Sequence, residues 1–271
     1  MSPPPTLVDG VPATTLAVND RAVQYGDGLF ETMRCEGARV RWLDRHLARL
    51  QRGCERLGIA MPDPVLLQRE FVMLLGGEDR CLLKLIVTRG AAAGRGYRPT
   101  GSERPMRILT RYDWPPPPAA EFRAHRSPIA LGSNPALAGI KHLNRLEQVL
   151  GQRAAAIAGV DEALQATESG EIIAGTMSNA FLVQGDVWLT PPIERCGVAG
   201  IMRSLVLSCA PQVGIRVQES VLTAAQFAQA PAIVLSNVRL GLQAVHWYEG
   251  RRLGVPPALE RLWEAIDGAA K

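Results

Sequence analysis

Ala138-Gly139-Ile140-Lys141-His142-Leu143-Asn144-Arg145-Leu146-Glu147-Gln148-Val149 places one lysine directly before a run of strong helical character. A lysine beside apolar neighbours loses charge on desolvation and becomes a usable amine nucleophile. A lysine ahead of a helix is also an ordinary solvated surface group.

The chain has 271 residues, enough for one large domain or two small ones. Apolar residues make up 47% and charged residues 21%, the balance of a soluble globular protein. The formal charge of +4 comes from scattered positives, which argues against a nucleic-acid partner. The cysteines (Cys35, Cys54, Cys81, Cys196 and Cys209) are odd in number and form no Cys-x-x-Cys pair. Reduced thiols in a cytoplasmic protein are expected. His46, His125, His142 and His246 lack metal-ligand spacing, so no metal site is expected. Residues 1–10 are proline-rich, without a basic start or an apolar stretch, so no signal peptide is expected. No apolar run reaches the length of a membrane span, so no membrane partner is expected.

Tyr112-Asp113-Trp114-Pro115-Pro116-Pro117-Pro118 is the clearest boundary. Four consecutive prolines join neither a helix nor a central strand and favour an extended spacer. The organisation expected is a small α+β domain over 1–111, a linker over 112–121 and a larger domain over 122–271. In the first domain, strands are predicted at 7–8, 29–35, 39–42, 81–88 and 106–112. Leu43, Leu47, Leu50, Cys54 and Leu57 form one stripe of a helix over 43–57 that Gly58 ends. A second helix is predicted over 64–75. In the second domain, strands are predicted at 129–131, 162–167, 172–176, 180–184, 187–190, 232–236 and 243–247. Helices are predicted over 144–158, 201–213 and 257–267.

Three further stretches attract attention. Gly197-Val198-Ala199-Gly200-Ile201-Met202-Arg203 opens a helix after a turn. Glycine permits close backbone approach, and N–H groups at a helix start attract an anion, although many such turns bind nothing. Arg89-Gly90-Ala91-Ala92-Ala93-Gly94-Arg95-Gly96-Tyr97 is a glycine-rich loop with two arginines. It reads either as a mobile hairpin tip or as an arginine fork for a carboxylate. Asn19-Asp20-Arg21-Ala22-Val23-Gln24-Tyr25-Gly26-Asp27-Gly28-Leu29-Phe30-Glu31-Thr32 contains a turn signal, Gly26-Asp27-Gly28, between strand-like runs.

Taken together, these words resemble a known family. The Lys141 stretch is similar to the Schiff-base lysine region of the aminodeoxychorismate lyases. These lyases belong with the branched-chain and D-amino-acid aminotransferases among the class IV, fold type IV pyridoxal phosphate proteins. The resemblance spans nearly the whole chain and is strongest at 19–57 and 136–203. It implies an α+β, two-domain fold of the D-amino-acid aminotransferase type, with pyridoxal 5'-phosphate held between the domains. It also implies a homodimer in which loops such as 89–97 close the partner's site.

Such chemistry needs an amine for the cofactor, a phosphate cradle, a partner for the pyridine nitrogen and groups that hold substrate. The resemblance makes Lys141 the Schiff-base lysine. It assigns the cofactor phosphate to Arg45, in Trp42-Leu43-Asp44-Arg45-His46-Leu47, with backbone contacts from Gly200, Ile201 and Met202. It places the Thr32 hydroxyl near the substrate, where it can relay a proton. It assigns substrate contacts to Arg95, Asn237 and Tyr25.

One position departs from the pattern. The family reads glutamate, a few small residues, then Ser/Ala-Asn and an aromatic. This chain reads Glu171-Ile172-Ile173-Ala174-Gly175-Thr176-Met177-Ser178-Asn179-Ala180-Phe181. Ala174 stands at the glutamate that partners the pyridine nitrogen. Glu171 is three residues away, about 10 Å along a strand and on the opposite face. Thr176 or Ser178 could instead offer a hydroxyl.

The resemblance implies conversion of 4-amino-4-deoxychorismate to 4-aminobenzoate and pyruvate, a step toward folate. Aromatisation drives that elimination, so a weaker electron sink is tolerable. Two other readings stay open: a class IV aminotransferase of D-amino or branched-chain acids, and a weakened or non-catalytic pyridoxal phosphate protein.

Overall fold

In the computed structural model, residues 3–75, 80–92 and 94–269 are described. The chain divides into two compact units. One holds Met1–Pro116 with Ile140–Asn144, the other Pro117–Gly139 with Arg145–Lys271. The division falls inside the run of four prolines, and five residues around Lys141 group with the first unit.

The first unit carries β1 (Thr6–Val8), β2 (Val11–Pro12), α1 (Arg21–Tyr25), β3 (Gly28–Glu36), β4 (Arg39–Val40), α2 (Leu43–Leu57), α3 (Pro64–Leu75), β5 (Arg80–Thr88) and β6 (Met106–Asp113). Its antiparallel sheet runs β2-β1-β6-β5-β3-β4. Period-two alternation makes β5 a strand: Cys81, Leu83, Leu85 and Val87 are buried, while Leu82, Lys84 and Ile86 are half-buried. Burying each leucine contributes about 1.5–3 kcal/mol. Helix α2 closes over β3 at Gly53, where a Cβ would come within 2.8 Å of Leu29 Cδ2.

The second unit carries β7 (Arg123–Arg126), α4 (Leu146–Ala158), β8 (Glu162–Ala166), β9 (Glu171–Gly175), β10 (Asn179–Gln184), β11 (Val187–Thr190), α5 (Ile201–Cys209), β12 (Arg216–Glu219), β13 (Leu222–Thr223), α6 (Ala224–Gln229), β14 (Ala232–Asn237), β15 (Gly241–Ala244), β16 (Trp247–Tyr248), β17 (Arg251–Arg252) and α7 (Leu259–Gly268). The sheet branches at β10, which pairs with β9, β11 and β14. Phe181, Trp188, Phe227 and Tyr248 are fully buried in this unit. Among the described residues, no helix is long and apolar enough to cross a membrane.

Helices α2 and α3 have the bounds that the periodicity predicts. Four other expectations are corrected. The strand expected over 129–131 meets the sheet only at a bridge from Leu131 to Thr167. Pro128 has no N–H to give, and the N–H of Ile129 turns to Ser127 Oγ. The strand expected over 39–42 ends at Val40, and Trp42 takes φ 53° to start α2. The helix expected from 144 begins at Leu146, because the Asn144 side chain is engaged with the carbonyl of Gly26. The strand expected over 243–247 is broken where Val245 and His246 donate to the carbonyls of Ile233 and Phe122.

Candidate active site

The lysine is held by the edge of a sheet. Phe30 N–H donates to the Lys141 carbonyl at 2.9 Å, and Leu143 N–H donates to the Gly28 carbonyl at 3.0 Å. Residues 140–144 thus occupy the edge of β3 that short β4 leaves uncovered. The glycines of the 26–28 turn make this approach possible. At Gly28 a Cβ would stand 2.5 Å from the Val87 carbonyl and 2.8 Å from Leu143. Gly26 has φ 65°, and a Cβ there would meet the Asn144 amide.

Lys141 is half-buried, with Nζ 4.2 Å from the centroid of the Phe30 ring. Thr32 follows on the same face of β3, directly opposite Lys84 on β5. Lys84 Nζ lies 5.3 Å from the centroid of the same Phe30 ring. The face of β3 that carries Phe30 and Thr32 thus meets Lys141 and Lys84. Sequence reasoning gave Lys84 no role. Its alternation within an apolar strand was the available signal.

The opposite face of β3 carries a buried charge cluster. Glu31 is 1% exposed and accepts from Arg49, while His46 Nδ1 lies 2.7 Å from Glu31 Oε2. Burial works to raise the Glu31 pKa, but the Arg49 charge and the hydrogen bonds of His46 and Arg49 outweigh it and hold the carboxyl at about 2. Burial lowers the His46 pKa despite the Glu31 carboxylate. Arg45 lies one turn before Arg49 in α2 and is exposed, whereas Arg49 is buried.

Two stretches read separately in the sequence are joined in the first unit. Asp27 accepts from Arg21 and from both Nε and Nη2 of Arg89. Partial burial opposes ionisation of Asp27, but Arg89 and Arg21 prevail and pull its carboxyl below the usual range. Arg21 also donates to the carbonyls of Gly96 and Tyr97. The Tyr25 hydroxyl accepts from Gly96 N–H, and its ring meets Tyr97 edge-on at 5.4 Å. Tyr25 thus anchors the loop next to Arg95, which is exposed. Ala93 of this loop lies outside the described residues.

The second unit carries a glycine-rich loop leading into a helix start. Gly139 pairs with the 197–199 loop through Gly139 N–H to Gly197 and Ala199 N–H to Gly139, both at 3.0 Å. Asn179 donates to the Val198 carbonyl at 3.0 Å. Its Oδ1 lies 1.9 Å from where a Cβ of Gly200 would stand, so only glycine fits there. Gly200 is the N-cap of α5, without a capping side chain, and Ile201 and Met202 form its first turn. Helix-start N–H groups have no intrahelical acceptor, and the helix dipole favours a negative group. This arrangement fits a phosphate.

Ala174 is 7% exposed and lies between Gln165 of β8 and Asn179 of β10, its direct partners in register. Glu171 pairs with Arg195 at the start of β9. The Thr176 and Ser178 hydroxyls both donate to Glu162, which is fully buried. Asn237 donates to the Met177 carbonyl, and its Oδ1 accepts from Arg239 and Leu240 N–H. Its amide therefore stabilises the turn after β14.

The family model for class IV amino-transferases matches residues 28–248. The chain belongs to the class IV aminotransferase family. Within this family it is 31% identical over 248 residues to an aminodeoxychorismate lyase of Vibrio harveyi, covering 88% of this chain and 89% of that one. A D-alanine aminotransferase of Bacillus licheniformis is 27% identical over 247 residues, covering 88% and 84%. The 4-amino-4-deoxychorismate lyase structure from Pseudomonas aeruginosa superimposes with a TM-score of 0.90 at 36% identity, covering 97% of this chain and 98% of that one. The class IV member described here thus has the fold type IV architecture expected.

Proposed function

We propose that this class IV protein is a pyridoxal phosphate-dependent lyase converting 4-amino-4-deoxychorismate to 4-aminobenzoate and pyruvate. The observation behind this reading is that Lys141 Nζ lies over the Phe30 ring, on the face of β3 that also carries Thr32. Similarity to the Vibrio and Pseudomonas lyases supports it.

Bound pyridoxal phosphate supplies a carbonyl that condenses with amines and a ring that accepts electron density. Lys141 would hold the cofactor through its amine, and the same amine would accept a proton from the substrate ring. The Thr32 hydroxyl would relay the proton taken up by Lys141 to the departing enolpyruvate oxygen. Arg45 and the backbone N–H groups of Gly200, Ile201 and Met202 hold the phosphate. Arg95 forms a fork to a substrate carboxylate, with Tyr25 anchoring its loop, and Asn237 orients the substrate through its turn. The test is to incubate purified protein with 4-amino-4-deoxychorismate and follow both products. Formation of neither, with cofactor bound, would defeat the reading.

The reaction belongs to folate synthesis, in the cytoplasm. A homodimer is the expected assembly, and sedimentation at micromolar concentration tests it. Ala174 favours a second reading, a pyridoxal phosphate protein of weakened activity. Amino-acid transamination without lyase turnover would favour an aminotransferase instead.

A further inference from the structure

Ala174 leaves the pyridine nitrogen without the carboxylate that the family pattern places there, and the nearby hydroxyls are turned toward Glu162, with Thr176 also accepting from Gln152. Glu171 is paired with Arg195. A polar side chain of a different strand lies beside the gap in chemistry. Gln165 is the direct partner of Ala174 across the β8–β9 pair. Opposed residues of an antiparallel pair project from the same face, with Cβ atoms about 4.5–5.5 Å apart. Gln165, Ala174 and Asn179 thus form one row across three strands. At one end of the row, Asn179 fastens the phosphate loop through the Val198 carbonyl. At the other end is the Gln165 amide.

Gln165 is fully buried, and among the described residues its Oε1 has no hydrogen-bond partner. Its Nε2 donates to the Glu147 carbonyl at 3.0 Å. That carbonyl accepts and never donates, so it fixes which way the amide points. The atom left over is an acceptor. A buried acceptor without a donor is costly, and such groups in folded proteins call for an explanation. A protonated pyridine nitrogen is a donor of the kind required.

We propose that Gln165 Oε1 accepts a hydrogen bond from the protonated pyridine nitrogen of the cofactor, in the role that a carboxylate at position 174 would fill. This rests on the pyridoxal phosphate reading above. An amide oxygen is a far weaker base than a carboxylate, so it supports the protonated ring less strongly. That suits an elimination driven by aromatisation better than it suits transamination. Gln165 is a positioning residue for the cofactor ring rather than a group that handles substrate.

The test uses pyridoxal phosphate labelled with nitrogen-15 at the ring, bound to the full-length protein, and reads the nitrogen resonance against pH. Gln165→Met removes the amide at similar volume. We expect the titration midpoint of the nitrogen to fall by about 0.4–1.1 pH units and cofactor affinity to weaken about two- to tenfold, the equivalent of one ordinary hydrogen bond. Gln165→Glu should move the midpoint upward, and this arm stands even if the methionine variant fails to fold. A bound nitrogen whose titration neither substitution moves overturns the role of Gln165 and leaves the cofactor reading intact. Failure of the unsubstituted protein to bind the labelled cofactor overturns both.

Discussion

Lys141 Nζ stands 4.2 Å from the centroid of the Phe30 ring, and the backbone N–H of Phe30 is bonded to the carbonyl of Lys141. One residue therefore sets both the main chain and the side chain of the lysine. Borohydride treatment of the cofactor-loaded protein, followed by peptide mapping, should label the peptide containing Lys141. Lys84 approaches the same ring at 5.3 Å and is the informative control. A label on Lys84 would show that the wrong amine has been assigned.

The arginines should separate by function. Arg95→Ala should weaken substrate binding roughly ten- to a hundredfold, the loss of a charge-assisted fork of about 1.5–3 kcal/mol, with little change in cofactor retention. Arg45→Ala should do the reverse. Equilibrium dialysis of the cofactor and KM for the substrate measure the two effects. Retention that survives Arg45→Ala but collapses in Arg49→Ala would move the phosphate clamp one turn along α2.

Ala174→Glu should tighten cofactor binding and raise lyase turnover, because a carboxylate paired with a pyridinium gains a charge-assisted hydrogen bond. Slow transamination of amino acids should accompany it. Cofactor affinity and both activities, compared in the two proteins, check this. No change in any of them would mean that the nitrogen is already fully served.

Acid should destabilise the fold through Glu31 and His46. Folded Glu31 keeps its charge down to about 2, whereas an ordinary glutamate takes a proton near 4.5. Burial makes folded His46 resist the proton that an ordinary histidine binds near 6.5. In both cases the unfolded chain binds more protons on acidification, so stability falls with pH. The contribution of His46 should begin to disappear as pH drops through 6.5, and that of Glu31 between about 4.5 and 2. Urea midpoints measured from pH 8 to pH 3 test this. Glu31→Gln should lower the midpoint at pH 7 and flatten the most acidic part of the curve. An identical acid limb in that variant would exclude Glu31 as its source.

Legibility in the sequence followed the physics of each element. The α2 stripe from Leu43 to Leu57 and the alternation in β5 identify themselves, because one face of each is buried within a single unit. Strand β7, Arg-Ala-His-Arg, has only Ala124 buried and carries no pattern to read. The clasp of Arg21, Asp27 and Arg89 spans 62 residues between its carboxylate and the second arginine, a pairing that local periodicity does not encode. The lysine motif was legible, but its place along β3 was not: residues 140–144 make that edge by backbone bonds, which leave no periodic pattern in their side chains. Gln165 was silent for a similar reason. Its significance comes from the register that sets it opposite Ala174.

The seat of Lys141 also bears on how the chain is made. Phe30 leaves the ribosome 111 residues before the lysine whose carbonyl it will bond. Until then, the N–H of Phe30 and the carbonyl of Gly28 must rely on water, and that edge of β3 is open to foreign strands. A fragment ending at the four prolines would keep this exposure permanently. It should therefore self-associate even though every helix and strand of its sheet has been synthesised.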